Sequence, residues 1–559
     1  MDVNLEKSRH KIGACALAAV MSITLLVTPF NSIDPINLPK LCLLIITSFT
    51  LFGLILGNLA NFFTHKSKHF VYLVAGFILQ LILVFTVDNR SFSLKFYGTS
   101  SRNTGFIAYL CLSFLLLAIT SITEDYLVKI FIWGFIISGL IIGVYGIAQS
   151  VGLDFFKYNL VYSSKVFGTF GNPNFQSAFM GMVAAASLTL LIFGKFKFLR
   201  RSILGLIVIL CLYNISVSSQ QGYLDFVAGV SIAGIIYLLK RDARFLAGSF
   251  LGIFCGSVLL VLLGILDKGP LASIVYKSSL QFRGFYWRGA VRMISQHPIF
   301  GIGMDGYGDW YRRSRSAKAA NINAGVVSDT AHNIPLDIGA SGGLPLLILY
   351  LTIIGYAIYA IIKVLKRKSE FDVYFVAIVA AWVAYQAQSL ISINQLGLGV
   401  WGWSLTGLLI GYEINTRNAA PAEIQKLGRS GKVAAEKLSA GALVITFLTG
   451  AIGLGIALPP YLAANKFYKA LQSGDANVIQ PAAYLQPYDR SRFMFVANIL
   501  SQNKLEPQAI KVLRDAAKIY PDSFEVWQQW SALASASPAD VAHAKAEIKR
   551  LDPYNPDLK

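Results

Sequence analysis

Apolar residues in this chain come in long unbroken runs and do not alternate with polar ones. Stretches such as Val71 to Val87 and Leu346 to Ile362 approach the roughly 20 residues that an α-helix needs to cross the hydrocarbon core of a bilayer. Thirteen such runs lie near 12–30, 39–59, 69–87, 105–122, 127–148, 174–194, 199–217, 221–239, 244–266, 342–362, 371–393, 397–414 and 438–458. The pattern predicts an all-α fold, a polytopic transmembrane helix bundle of 12–13 spans. Only a tight polar turn separates the runs at 199–239, which leaves the count open by one. The first run carries no small-residue cleavage site and reads as a span, not as a cleaved signal.

Three polar segments, 88–104, 149–173 and 267–341, are long enough to be structured loops, being rich in Gly, Asn, Ser and aromatic residues. Segment 415–437 reads as a linker before the last span. Beyond 458 the chain turns charged and amphipathic, so a membrane domain over 1–458 and a helical domain over 459–559 are expected. In the latter, "QPYDRSRFMF", "YPDSFEVWQQW" and "DPYNPD" recur, with Pro487, Pro521 and Pro553 spaced 34 and then 32 residues apart. Phe493 and Trp527 each follow their proline by six residues. A period near 34 with a proline turn closing each helix pair resembles tetratricopeptide repeats. Such a module docks or scaffolds; an unrelated helical bundle is the alternative.

Composition agrees with the membrane class: 55% of residues are hydrophobic and 14% charged, against about 25% charged in soluble domains. All five cysteines (Cys15, Cys42, Cys111, Cys211, Cys255) fall within apolar runs. They read as small buried hydrophobes, not as disulfides or metal ligands. The net charge of +20 would suit nucleic acid, but its placement argues otherwise. Basic residues gather in every second loop: Lys7, Arg9 and Lys11; Lys66 and Lys68; Lys195 to Arg201; Lys240 to Arg244; Lys363 to Lys368; and Arg417 to Lys437. That alternation places the N-terminus in the cytoplasm. With thirteen spans, loop 267–341 and the C-terminal domain then lie outside. The loop keeps nine Lys and Arg even so, and topology does not explain them.

Within the loop, residues 284–296 can form an amphipathic helix ended by Pro298, with Trp287, Val291 and Ile294 on one face. Arg288, Arg292 and Ser295 share a neighbouring face, where arginines could grip phosphate bidentately or anchor to headgroups. His332, in "TAHN", lies shortly before the tenth span. A histidine there can accept a proton at neutral pH, or serve as a structural hydrogen bonder. His297, in "QHPIFGIG", reads as structural.

The segments "RGFYWRGAVRMISQHPIFGIG" and "AHNIPLDIGASGGLPLLILYL" resemble the signature region of the O-antigen ligase and polymerase family. "YGTSSRNTGFIAYL", "YGIAQSVGLDFF" and "FGTFGNPNFQSAFM" agree upstream, so the resemblance spans roughly residues 90–410. It implies a GT-C-like integral-membrane glycosyltransferase. Such an enzyme moves a glycan from an undecaprenyl-diphosphate carrier to an acceptor on the extracytoplasmic face of the bacterial inner membrane, with no cofactor and no metal.

Carried over by position, the resemblance makes His332 the catalytic base, Arg283 the donor-diphosphate ligand and Arg288 its helper, with Asn333 beside the base. The chain departs from the family in reading "SVSSQQGYLDF", so the neutral Gln220 and Gln221 stand where a cationic turn is usual. Lys165 or Arg102 would have to supply that contact. Asp225, about one turn into the next span, is costly in lipid and should face a cavity; it either orients Arg283 or starts the helix. The acceptor could be a lipid core sugar, a second lipid-linked glycan or a protein hydroxyl. The repeats lean towards a protein acceptor or partner. Rival classes are a transporter of lipid-linked glycan or solute, and a non-catalytic membrane scaffold.

Overall fold

The computed structural model describes residues 3–28, 33–57, 67–122, 125–156, 165–270, 278–322, 325, 327–368, 370–417 and 439–556. The expected linker at 415–437 falls outside them from 418 onward, as do His65 and Lys66. A helix lies on each of the thirteen apolar runs. The first half of the chain forms α1 (Val3–Leu25), α2 (Asn37–Leu56), α3 (Lys68–Val87), α4 (Phe92–Tyr97), α5 (Phe106–Thr120) and α6 (Asp125–Ser150). These are followed by α7 (Pro173–Phe193), α8 (Phe198–Ser218), α9 (Gln221–Lys240) and α10 (Arg244–Ile265). The long loop holds three helices: α11 (Ser278–Gln296), α12 (Tyr307–Ser314) and α13 (Ala317–Ile322). The remaining spans are α14 (Ile334–Arg367), α15 (Val373–Ser389), α16 (Leu396–Thr416) and α17 (Ala440–Ser473). The tail adds α18 (Ala476–Ala482), α19 (Arg490–Gln502), α20 (Glu506–Ile519), α21 (Phe524–Ser531) and α22 (Pro538–Leu551).

Among the described residues, nine helices are long and apolar enough to cross a membrane, and Ile12–Leu25, Phe106–Thr120 and Val373–Ser389 are shorter apolar ones. Local signals set their starts. Asn172, Asn333, Asp372 and Ser439 each cap a helix by accepting a backbone N–H of its first turn. Pro173 and Pro335 occupy the first helical positions, where a missing N–H costs nothing.

Small residues let the spans approach closely, as expected where lipid supplies no hydrophobic drive between helices. α17 lies along α2, with Gly53 against Thr446 and Gly57 against Ala442. Gly229 of α9 meets Ala185 of α7 and Ala380 of α15. At the centre, Trp401 is fully buried, packs on Phe135 and donates its indole N–H to Thr24 Oγ1 at 2.7 Å. α10 stays at the edge, exposing Phe245, Phe250 and Ile253.

One end of the bundle gathers basic residues: Lys240 bonds Leu365 O and Lys368 O, and Arg367 and Arg417 pair with Glu413. The opposite end carries the polar loops and the tail. α17 runs unbroken from its apolar half into the tail, across the expected boundary at 458. There α19 and α20, then α21 and α22, form two helical hairpins packed on one apolar core.

Candidate functional site

The expected amphipathic helix exists as α11. Tyr286, Ala290 and Met293 form the buried stripe, while Val291 is 55% exposed. The stripe packs on Tyr307 and Tyr311 of α12, and the Tyr307 hydroxyl donates to Tyr286 O at 2.6 Å. After Pro298, Ile302 N and Gly303 N donate to Ala340 O and Ser341 O, stitching the glycine turn to α14. α14 itself breaks at Gly343, which has φ +76°. A Cβ there would sit 2.5 Å from the Ile299 carbonyl, so only glycine fits. The glycines of "HPIFGIG" and "ASGG" are therefore the seam between two loop walls.

His332 hangs from that seam. Its backbone is left-handed, with φ +49°, a strain that tends to persist at functional positions. Its N–H donates to Thr330 Oγ1 at 3.1 Å, Ala331 N donates to Asp337 Oδ1 at 3.1 Å, and Ser328 Oγ donates to Thr330 O at 2.7 Å. The half-buried imidazole stacks on Tyr286, with ring centroids 5.5 Å apart. Burial, then the charge of Arg283, lowers its pKa from 6.5 to about 4, with Asp329 opposing. At neutral pH the ring is uncharged and able to accept a proton.

Arg283 is half-buried on α11, and burial lowers its pKa against the opposing influence of Tyr286. It makes no ion pair or hydrogen bond among the described residues. A half-desolvated guanidinium without a counter-ion is a ready anion ligand. His332 and Arg283 are thus brought together.

Arg102 occupies a different place. Its guanidinium, buried in the loop after α4, lies 3.4 Å from Asp305, 3.7 Å from Asp329 and 3.7 Å from Asp337, and also bonds Asp329 O. Burial alone would pull its pKa down, but Asp305, Asp329 and Asp337 together hold it above the ordinary value. Asp305 also accepts Thr99 N at 2.7 Å. Arg102 therefore ties three loop segments into one frame around the His332 turn.

The other expected residues are more dispersed. Arg288 is exposed and donates to Leu266 O at 2.9 Å. Lys165 is exposed before α7, and Gln220 is exposed at the start of α9. Asn333 caps α14 through Leu336 N and donates to Leu390 O at 2.9 Å, which anchors the His332 turn to α15. Asp225 is buried in α9 beside Gly181 of α7, and neither carboxylate oxygen has a hydrogen bond among the described residues. It is not brought against Arg283. Sequence reading missed Tyr286, Asp305 and Asp337. Asp305 stood in a glycine turn and Asp337 in a helical first turn, both ordinary places for a carboxylate. No cluster of three or more His, Cys, Asp or Glu among the described residues is placed to hold a metal.

Three of the loop's nine basic residues, Arg312, Arg313 and Arg315, meet the tail. Arg315 binds Asp552 at 2.5 Å with both side chains buried, and Arg312 reaches the same carboxylate at 3.3 Å. Arg312 also stacks on Phe524 at 3.8 Å, Arg313 pairs with Asp522 at 3.3 Å, and Arg490 pairs with Asp309. The tail and the His332 loop are one assembly at one end of the bundle.

The architecture is that of a polytopic helical membrane protein with a reactive-looking polar loop at one end. Residues 215–351 match the family model described as O-antigen ligase. The match runs from the end of α8 into α14, covering Arg283 and His332, and supports a membrane glycosyltransferase or ligase of a bacterial kind. No curated protein matches the chain.

Proposed function

We propose that the chain transfers a glycan from an undecaprenyl-diphosphate carrier to an acceptor hydroxyl on the extracytoplasmic face of the bacterial inner membrane. The observation that carries this reading is the pair formed by His332 and Arg283: a base kept uncharged beside a cation without a carboxylate. His332 takes the proton of the acceptor hydroxyl as that oxygen bonds to C1 of the donor sugar. The bond from C1 to the diphosphate breaks, and Arg283 neutralises the charge left on the departing lipid diphosphate. Arg288, exposed further along α11, offers a second cation to lipid phosphate, and Lys165 a third from the neighbouring loop. Arg102 and Asn333 hold the His332 turn. Gln220, at the start of α9, and Asp225, buried within it, lie apart from that turn in the chain's contacts and carry no step in the transfer.

The acceptor is a lipid core sugar, a second lipid-linked glycan or a protein hydroxyl, and a tail clamped to the loop that carries the base favours a protein acceptor or partner. The tail's two hairpins begin 34 residues apart, at Arg490 and Phe524, and support the tetratricopeptide-like reading of a partner-binding module. The test uses purified protein with an undecaprenyl-diphosphate oligosaccharide and candidate acceptors, comparing wild type with His332→Ala and Arg283→Ala. Loss of transfer in both variants supports the assignment. Retained transfer in both sinks it, and solute movement without transfer favours a transporter.

A further inference from the structure

A cavity of about 860 Å³ opens between the tail and the polar loops, away from His332. It falls within the range of small-ligand sites, roughly 300–1,000 Å³. Neither Arg283 nor His332 lines it. Its walls come from both parts of the chain: Arg90, His297 and Trp310 from the membrane part, and Tyr488, Lys518 and Tyr520 from the tail.

The lining chemistry narrows the occupant. Arg90 is paired with Asp88 at 2.7 Å and Arg313 beside the cavity with Asp522, and the wall sets Asp88, Asp309 and Asp522 against Arg90 and Lys518, a balance of charge that disfavours phosphate. The wall is too polar for an acyl chain, with Asp309, Asp522 and Lys518 among aromatic rings. His297, whose pKa is lowered by burial and by Arg313, stays uncharged and can both donate and accept a hydrogen bond. Flat apolar rings interleaved with neutral donors and acceptors match a chain of sugar rings, which presents C–H faces and hydroxyl edges together.

Placement connects the cavity to the chemistry. α11 carries Arg283 near one end, and His297 follows directly after its last residue. Fourteen residues at 1.5 Å each put the two about 21 Å apart along the helix. Ile302 and Gly303, another part of the wall, donate their N–H groups to Ala340 O and Ser341 O, on the helix that follows His332. We infer that this cavity is an oligosaccharide subsite that holds sugars several units away from the reacting carbon. The inference rests on the glycan-transfer reading above; the sugars belong to either the lipid-linked donor or a glycan acceptor.

The probe is the oligosaccharide released by mild acid from the host's undecaprenyl-diphosphate pool, titrated against the full-length protein in nanodiscs by calorimetry. Asn89→Trp, at an exposed wall position, fills the cavity, and Trp310→Ala removes a ring. Both should weaken binding tenfold or more, while His332→Ala binds as the wild type does. Transfer assays with short and long donors, and with short and long acceptors, then locate the sugars. The side whose long-over-short preference in KM collapses in Asn89→Trp is the side the cavity holds. No binding to wild type, or equal binding in wild type and both cavity variants, overturns the inference. Binding without any transfer would sink the catalytic reading and leave the subsite standing.

Discussion

The ring of Tyr286 lies against the imidazole of His332, with centroids 5.5 Å apart and 27° between the planes. Tyr286 sits on α11 and His332 on the turn before α14, so this stacking sets one loop wall against the other. Removing the ring in Tyr286→Ala should lower kcat about tenfold, roughly 1.4 kcal/mol of barrier, with little change in KM. Tyr286→Phe keeps the ring and should restore most of the rate. Equal losses in the two variants would point to the hydroxyl instead.

The pH profile follows from the His332 environment. Burial and Arg283 depress its pKa from 6.5 to about 4, so the ring remains a base down to near pH 4. Transfer should therefore hold through pH 5.5 and fall only as pH approaches 4. In the unfolded chain the same ring takes up a proton below about 6.5. Folding stability should thus decline as pH drops from 6.5 towards 4, and gain nothing from this group above 6.5. A kinetic midpoint near 6.5 would contradict the assigned surroundings.

Arg283 should act mainly through the diphosphate. Arg283→Ala is expected to cost roughly tenfold to a hundredfold in kcat/KM for the lipid-linked donor. Arg283→Lys should recover only part, because an ammonium lacks the planar fork that meets phosphate oxygens. Full activity in Arg283→Ala would remove it from the site.

Arg102 should behave as a frame residue. Replacing it with Met leaves the buried Asp305 without its cation, a change that costs about 3–5 kcal/mol when one member of a buried pair is lost. Thermal unfolding in detergent should shift down, and Asp305→Asn placed on top of Arg102→Met should recover some of the loss. A variant with normal stability and only a raised donor KM would return Arg102 to a donor-binding role.

Arg315 and Asp552 form the fully buried part of the tail clamp. Arg315→Ala should loosen the tail's hold on the loop at a cost of about 3–5 kcal/mol of docking energy. Hydrogen exchange should rise over residues 307–322, while α19 to α22 keep their protection because most of their core comes from their own side chains. Loss of protection in all four tail helices would show that the tail cannot fold undocked.

The spans were legible because a bilayer demands some 20 apolar residues in a row, and no soluble helix writes so plain a signal. His332 and Arg283 were reached through motif resemblance, and their adjacency needed the fold. Asp305 and Asp337 were invisible for a physical reason: a carboxylate in a turn looks the same whether it meets water or Arg102. What packs on α11 was not legible because periodicity defines faces but not which neighbour arrives; two tyrosines of α12 cover the Tyr286 side and leave Val291 exposed. The expected boundary at 458 followed a change of composition. α17 continues through that change even though Pro459 and Pro460 supply no N–H there, and the Tyr97 hydroxyl donates to the Ile456 carbonyl that Pro460 leaves free, at 2.9 Å.

The continuity of α17 also bears on how large a substrate can be. A single rod roots the tail in the bilayer, and the Arg315 and Asp552 pair pins it from the other side. The cavity between tail and polar loops is thereby a gap of set width. On the glycan-transfer reading, long or branched chains would be admitted or turned away by their girth at that gap before any affinity for His332 comes into play.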